Sequence, residues 1–545
     1  MKKEIHKITG AVILTSVLFF NSCRSTDTEN ILTTGGVTAV NFNLLGSEYS
    51  NNGNLSPSAS LASGKTMVSN GIQKQSFLIN PSNVITAELA PSTDGSKVSA
   101  QASSGMNSIS AVSGNSLTSG TKFRIIAYRG DDGSYQAYQD YTVGQPAVAM
   151  NLEVGVNYNL VVYSWGINTL PDINSEEQGN IGTASLSYDY YANPDFMYKK
   201  IAFTPIAGGN TVNVTLVHQV AQITTILNSV GLGNFDNNTI SNSLSPNDGT
   251  AKFSFGTGVF SDRTLGLPVQ QDFTGANSPV LTSTPVFINA DTEGNAMGRF
   301  SADVSIGGVT KTIDLPNSFK ITPGNKSTLT INLRKCGAFL GPGNSNWIDF
   351  MCHNLGADTS KDPFVPAAAV HGAKYQWGAT TGEANKYYSQ ADDQSNAGII
   401  PGWNLTIAPS NSWLDASKGA NDPCPDGYKV PTRAQWANFF NYGKLEKIGS
   451  WADNTNNYTT VVYARDESNN RTLMLPVAGY RNYYTNGQLA FRGVYLHYWS
   501  STLQQAGVGY ALEIVQGNSI NGYVNLNTTY GMPVRCVKYT APPVV

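Results

Sequence analysis

Five cysteines, set very unevenly, constrain this 545-residue chain more than any other feature. Cys23 stands alone after an apolar run, and no other cysteine occurs before Cys336. Cys336, Cys352, Cys424 and Cys536 all fall in the C-terminal region. Paired cysteines belong to oxidising compartments, so the layout implies an exported chain with two disulfides stapling a C-terminal module. It leaves one cysteine near the start for another purpose. Four cysteines allow three pairings, and their spacing does not choose between them.

The start of the chain has the three segments of a secretory signal. Lys2, Lys3 and Lys7 precede an apolar core at residues 8–20, which is shorter than the roughly 20 residues a spanning helix needs. Phe20-Asn21-Ser22-Cys23 follows and resembles a bacterial lipobox, with Phe20 and Asn21 departing from the commonest Leu-Ala pattern. Asp27 and Glu29, just beyond, resemble the acidic tag of surface-exposed lipoproteins in Bacteroidota. Acyl chains on Cys23 would then be the only attachment to the outer membrane, with the protein on the cell surface.

Charged residues are 13% of the chain, well below the usual quarter, while Gly, Ser, Asn and Thr abound. That balance suits β-sandwiches, which need many turns and few charged helices. The net charge is −3 and no basic run occurs, so nucleic-acid binding has no electrostatic basis. Residues 98–121 carry no charge until Lys122, and read as a soft insertion. Lys122 to Tyr128 reads as a strand, with Arg129-Gly130-Asp131-Asp132-Gly133 as its turn. Val156 to Trp165 reads as another. Val212, Val214 and Leu216, and later Leu329, Ile331 and Leu333, alternate onto a core face.

The segments GTKFRIIAYRGDDGSYQAYQDY, LEVGVNYNLVVYSW and VNVTLVHQVAQITTIL resemble the fimbrillin family of surface lipoproteins over residues 37–334. The resemblance implies a tandem of transthyretin-like β-sandwiches, used in fimbriae or as adhesins. It also implies a maturation question. Fimbrillins that polymerise are trimmed after an arginine in the first domain, yet no arginine lies between Arg24 and Arg124, leaving only Lys65 and Lys74 as substitutes. We therefore expect a terminal or stand-alone protein beginning at Cys23.

The last 210 or so residues carry six ordered landmarks. These are Trp347 to Gly356 (WIDFMCHNLG), Tyr375-Gln376-Trp377-Gly378, Cys424 to Thr432 (CPDGYKVPT) with Trp436, Pro476 to Arg481 (PVAGYR), Tyr498-Trp499-Ser500-Ser501, and Val534-Arg535-Cys536-Val537. In that order they resemble the Fibrobacter succinogenes major paralogous domain, a C-type-lectin-like relative, over residues 335–540. The resemblance implies the pairs Cys336–Cys352 and Cys424–Cys536. In the chain-entropy model these are worth about 3 and about 4–5 kcal/mol. Thr432 and Gln435 form a capping box ahead of the apolar face Trp436, Phe439 and Phe440.

The expected organisation is mainly β: a signal peptide at 1–22, a tether at 23–36, sandwiches at 37–193 and 194–334, and an α+β lectin-like domain at 335–545. Chemistry is sparse. Ser63-Gly64-Lys65-Thr66 lacks the leading glycine of a phosphate loop, because position 59 is Ala59. His218, His353, His371 and His497 have no metal-ligand spacing, and His218 reads as a packed or hydrogen-bonded residue. No cofactor, metal site or catalytic residue is expected. The tripeptides that hold calcium in sugar-binding lectins are absent, Trp451-Ala452-Asp453 being a faint echo.

One enriched stretch remains, with Tyr480, Tyr483, Tyr484, Tyr495, Tyr498 and Trp499 among Arg481, Asn482 and Asn486. Tyr498 and Trp499 read as core. Arg481, Asn482, Tyr483, Tyr484 and Asn486 read as a candidate ligand-binding patch, since flat aromatics beside amides suit glycan or protein. The expectation is a non-enzymatic, lipid-anchored, fimbrillin-like adhesin or fimbria-associated protein, binding an extracellular glycan, a surface protein or other fimbrial subunits. Its rivals are an enzyme of the formylglycine-generating type or a glycan-processing accessory, which a free-thiol count separates, and a purely structural fimbrial subunit. Replacing Cys23 with Ala is expected to move the protein from the membrane fraction to the soluble one. Unchanged retention would refute lipidation.

Overall fold

Alternation decides which side of each strand is buried. In Asn210–His218, Val212, Val214 and Leu216 are buried while Thr211 and Asn213 are exposed, as a period of two requires. The computed structural model of the protein describes residues 36–50, 67–69, 71–92, 115–238, 240–517 and 522–539. Cys23, the lipobox, Ser63 to Thr66 and most of the uncharged segment lie outside the described residues. The architecture is mainly β, with several sheets.

The first unit is one ladder of seven strands. Its order is Tyr135–Thr142, Lys122–Arg129, Tyr158–Ser164, Met197–Phe203, Asn210–His218, Val37–Glu48 and Met150–Glu153. The fourth and fifth pair only at Met197–His218 and Tyr198–Val217. Beyond that point the ladder folds over into two layers. Phe42 and Tyr141, near opposite ends of the order, consequently meet at 5.8 Å between ring centroids. Ile125, Leu160, Val162 and Val214 fill the space between the layers.

The opposite face of Lys122–Arg129 and Tyr158–Ser164 is apolar too. Ile126, Tyr128, Val161 and Tyr163 pack there against Leu186, Tyr188 and Phe253 of a three-stranded sheet and Phe255 just beyond it. Burial on both faces explains why these two strands read as nearly continuous apolar runs. Arg124 sits in this double-sided core at 1% exposure, with Nε 2.6 Å from Asp140. Its Nη1 donates to the Tyr163 hydroxyl, which donates in turn to the buried Glu177. The first arginine after Arg24 is thus sealed in a paired strand, where no protease reaches it while the unit is folded.

The second unit is an eight-stranded sheet packed on a three-stranded one. Ile85, Leu89, Ile223, Leu227, Leu329 and Ile331 form one side of its core. Phe300, Val304, Ile313 and Leu315 form the other.

The expected division at residues 193 and 194 does not follow a sheet boundary. Tyr158–Ser164 pairs Met197–Phe203, Val37–Glu48 pairs Asn210–His218, and Asn83–Pro91 pairs Lys326–Lys335. From Val37 the chain runs in the first unit, crosses to the second for residues 67–69 and 72–91, and returns for 122–218. It crosses again between His218 and Ala221. The reason lies in two parallel pairs, Val37–Glu48 with Asn210–His218 and Ala221–Asn228 with Lys326–Lys335. Parallel strands need long crossovers, and here some of the crossover from the first strand is built into the other unit.

From Cys336 onward short ladders and loops form a head with two apolar clusters. The helix Arg433–Tyr442 starts at the Thr432–Gln435 capping box and buries Trp436 and Phe439. Two of the buried indoles are satisfied by carbonyls: Trp436 Nε1 donates to Trp499 O at 3.0 Å, and Trp499 Nε1 to Tyr375 O at 2.8 Å. Disulfides join Cys336 to Cys352 and Cys424 to Cys536.

The hairpin turn at Pro81 and Ser82 plugs into the head beside the first of these bonds. Cys352 N donates to Pro81 O at 2.7 Å, and Cys336 N to Ser82 O at 2.8 Å. Ser82 Oγ donates to Phe350 O and lies 2.8 Å from the Tyr428 hydroxyl. Non-reducing peptide mapping of the oxidised protein is expected to recover the two linked pairs, and a Cys352–Cys424 species would contradict this fold.

Candidate functional site

The stretch that the sequence marks as aromatic forms a hairpin, Tyr480–Asn482 with Gln488–Ala490, whose tip is the short helix Tyr483–Thr485. Asn482 caps that helix, its side chain accepting from Tyr484 N at 3.0 Å. Asn486 takes the left-handed conformation, and Gly487 follows at φ 77°. A Cβ on Gly487 would stand 2.2 Å from the Trp403 ring, so only glycine fits that close approach.

Tyr483 and Tyr484 project from the tip with ring centroids 3.8 Å apart. Tyr484 is 74% exposed and Tyr483 is half-buried. The neighbouring Tyr484 hydroxyl pushes the Tyr483 phenol up to about 12. Tyr530, far along the chain, closes on Tyr483 at 4.8 Å and on Tyr480 at 5.2 Å. Paired backbone bonds between Arg481 and Gly531 bring it there. His497 then continues the row at 5.3 Å from both Tyr480 and Tyr495, with Phe491 5.0 Å from Tyr495. The result is a ledge of rings running from an exposed tip to a buried base. At that base His497 Nε2 lies 2.9 Å from Glu513.

Arg481 does not belong to the displayed surface. It is fully buried, with Nε 2.7 Å from Asp393 Oδ1 and Nη2 donating to the Asp393 and Asn396 carbonyls. Asp393, on the helix Gln390–Ser395, also takes Arg492 at 2.6 Å and Lys374 at 3.2 Å. Buried charge persists only when paired, and here one carboxylate pins both flanks of the ledge hairpin. A polar residue between Tyr480 and Asn482 reads as surface because its partner lies 88 positions away. Asn482, Tyr483, Tyr484 and Asn486 do stand together at the tip. Tyr498 and Trp499 are fully buried. Tyr530 lies outside the marked stretch, and no local signal links it to the tip.

A second polar group lies where the two β units meet. His218 Nδ1 is 2.8 Å from Asp195, and Nε2 is 3.3 Å from Ser47 Oγ. The arrangement has the connectivity of a nucleophile relay, but Tyr49 stacks flat on the imidazole at 4.0 Å and Ser47 is 5% exposed. Its geometry is that of a buried tether between strand ends. Among the described residues no cluster of His, Cys, Asp and Glu could hold a metal ion, and no helix is long and apolar enough to cross a membrane.

These features define a class: a mainly β chain with a disulfide-stapled head that presents a ring-lined ledge. Residues 346–538 match the family model of the Fibrobacter succinogenes major domain, in the region carrying the six ordered motifs. No curated protein matches the chain. Solved structures similar to it include a candidate adhesin from Bacteroides thetaiotaomicron, at 12% identity and a TM-score of 0.29, covering 43% of this chain and 87% of that one. A candidate cell adhesion protein from Bacteroides fragilis aligns at 11% identity and 0.30, over 54% and 93%. A fimbrial assembly protein from Parabacteroides distasonis aligns at 10% and 0.27, over 43% and 89%. At these scores the likeness defines neither ligand nor partner.

The buried histidines make the head acid-sensitive. Burial pushes His371 down to about 3 and His353 to about 4. Both stay neutral in the fold and take protons on unfolding, so the unfolded state binds more protons below about 6.5. Stability is then full above about pH 6.5 and drains as pH falls toward 4. Burial opposes the charge on Asp393, but Lys374, Arg481 and Arg492 hold its carboxyl at about 2. Its contribution is therefore lost only below about pH 4. Urea midpoints are expected to drop between about pH 7.5 and 5, and His371→Asn to flatten that slope. A midpoint constant over the interval would contradict the assignment.

Proposed function

We propose that the chain is a surface-exposed lipoprotein that acts as an adhesin or fimbria-associated protein. Acylation at Cys23 anchors it to the outer membrane of a Bacteroidota-type bacterium. The fimbrillin-like sandwiches carry the head, whose C-type-lectin-like module binds an extracellular glycan or a surface protein. No catalytic step is assigned to it.

The observation that carries this reading is the ledge. Tyr484, Tyr483 and Tyr530 offer adjoining aromatic faces at an exposed tip, with Asn482 and Asn486 beside them. Sugar rings present C–H faces that pack on such platforms, while hydroxyls bond to amides. Tyrosine also loses little entropy on binding, having few rotatable bonds. The ledge is held in place before a ligand arrives, because Asp393 and Gly487 fix the hairpin beneath it.

The test uses the exported protein on a glycan array, followed by titration of each hit. Tyr483→Ala with Tyr484→Ala is expected to weaken binding at least tenfold, about 1.4 kcal/mol, with an unchanged thermal midpoint. Full affinity in that variant would remove the ledge from the binding site.

A further inference from the structure

A groove of about 1110 Å³ runs between the second sandwich unit and the head. Its floor is the outer face of the larger sheet. There Asn228 bonds to Asn332 at 3.0 Å and Asn332 to Thr86 at 3.3 Å, a polar row across three strands. One wall is the loop with Lys361 and Phe364, and another is the hairpin with Asn469 and Asn470. Phe339 and Trp347 stand edge to face at 5.0 Å along the same groove. The volume exceeds the usual upper range of small-molecule pockets, roughly 1,000 Å³. It suits several linked units of a ligand better than one.

The charge of this lining differs from that of the chain. Lys74, Arg334, Lys335, Lys361, Arg465 and Arg471 face Glu88, Asp362 and Asp466, in a protein whose net charge is −3. Several of these are already matched. Lys74 pairs with Glu88 at 2.8 Å, Lys335 with Asp349 at 2.8 Å, and Arg465 and Arg471 share Glu446. Among the described residues no carboxylate lies within ion-pairing distance of Arg334 or Lys361. Arg334 instead lies over the Phe364 ring at 4.9 Å. That contact holds the guanidinium beside the groove, and its planar fork matches a carboxylate or sulfate.

We propose that this groove is a second binding site, for an acidic oligosaccharide. Arg334 and Lys361 take its anionic groups, Trp347 and Phe339 pack sugar faces, and the amide row meets hydroxyls. The site is separate from the ledge and does not depend on it.

Calorimetric titration of the exported protein with tetragalacturonate and with a heparin-derived tetrasaccharide tests this. At least one is expected to bind, and which one distinguishes uronate from sulfate recognition. Affinity is expected to fall tenfold or more in Arg334→Gln with Lys361→Gln, and to weaken at about 0.5 M salt. The single Lys361→Gln variant, in a loop, gives a readout even if the double variant folds poorly, with a threefold or greater loss expected. The Tyr483→Ala, Tyr484→Ala protein is expected to bind these probes like the parent. Binding of neither probe, equal binding of methyl-esterified tetragalacturonate, or undiminished binding in the single and double groove variants overturns the proposal. Loss of acidic-sugar binding in the tyrosine variant would place that sugar on the ledge and overturn it as well.

Discussion

The turn at Pro81 and Ser82 is the contact on which the displayed surfaces depend. Its two carbonyls receive the backbone N–H groups of Cys352 and Cys336, the two halves of one disulfide. A covalent bond thus fixes the spacing of the donors that a strand hairpin must meet. Val84, just past the turn, is buried in the head's own core. Apolar burial and hydrogen bonds therefore act at one joint, where these backbone groups are satisfied and avoid the desolvation penalty of unpaired ones. With the joint fixed, the outer face of the sheet stands against the head, and the groove between them has a defined shape.

The ledge rests on a different kind of support. Taking a carboxylate out of water costs several kcal/mol unless partners compensate, and Asp393 has three. One of these partners, Lys374, is itself driven down to about 8 by burial. Such a cluster is weak evidence for stability, since an apolar replacement of the whole group can be as stable. It does specify position. Arg481 and Arg492 bracket the hairpin, so the rings at its tip keep one geometry, and ordering them on binding costs little.

Features that depend on neighbouring residues were legible in the sequence. The Thr432–Gln435 box, the apolar face of its helix, the alternation in Asn210–His218 and Lys326–Lys335, and the turn after Arg129 all follow from local rules. Pairings across long separations were not. Val37–Glu48 alternates like any outer strand, and nothing in it announces a parallel partner near residue 210. Pairings cross the expected boundary at 193 and 194 for that reason. Arg481 was misplaced by the same blindness, because a buried arginine differs from an exposed one only through a distant carboxylate. Tyr530 completes the ledge through a backbone bridge to Arg481, which no spacing rule reveals.

The interleaved path through the two β units also sets how the chain bears load. A pull applied at residue 37 and opposed at the head reaches Val37–Glu48 at its first residue and Asn210–His218 at its last. These strands are parallel and paired over eight positions, so the force lies along the strands and strains their hydrogen bonds together. Ala221–Asn228 and Lys326–Lys335 repeat the arrangement over seven positions, with the second strand leading straight to Cys336. Two shear clamps stand in series between the ends. A hairpin pulled from its open end would instead lose its hydrogen bonds in succession, like a zip. Such a pull from residue 37 would meet its main resistance in these two parallel seams, since forced unfolding is governed by the rate of opening rather than by equilibrium stability.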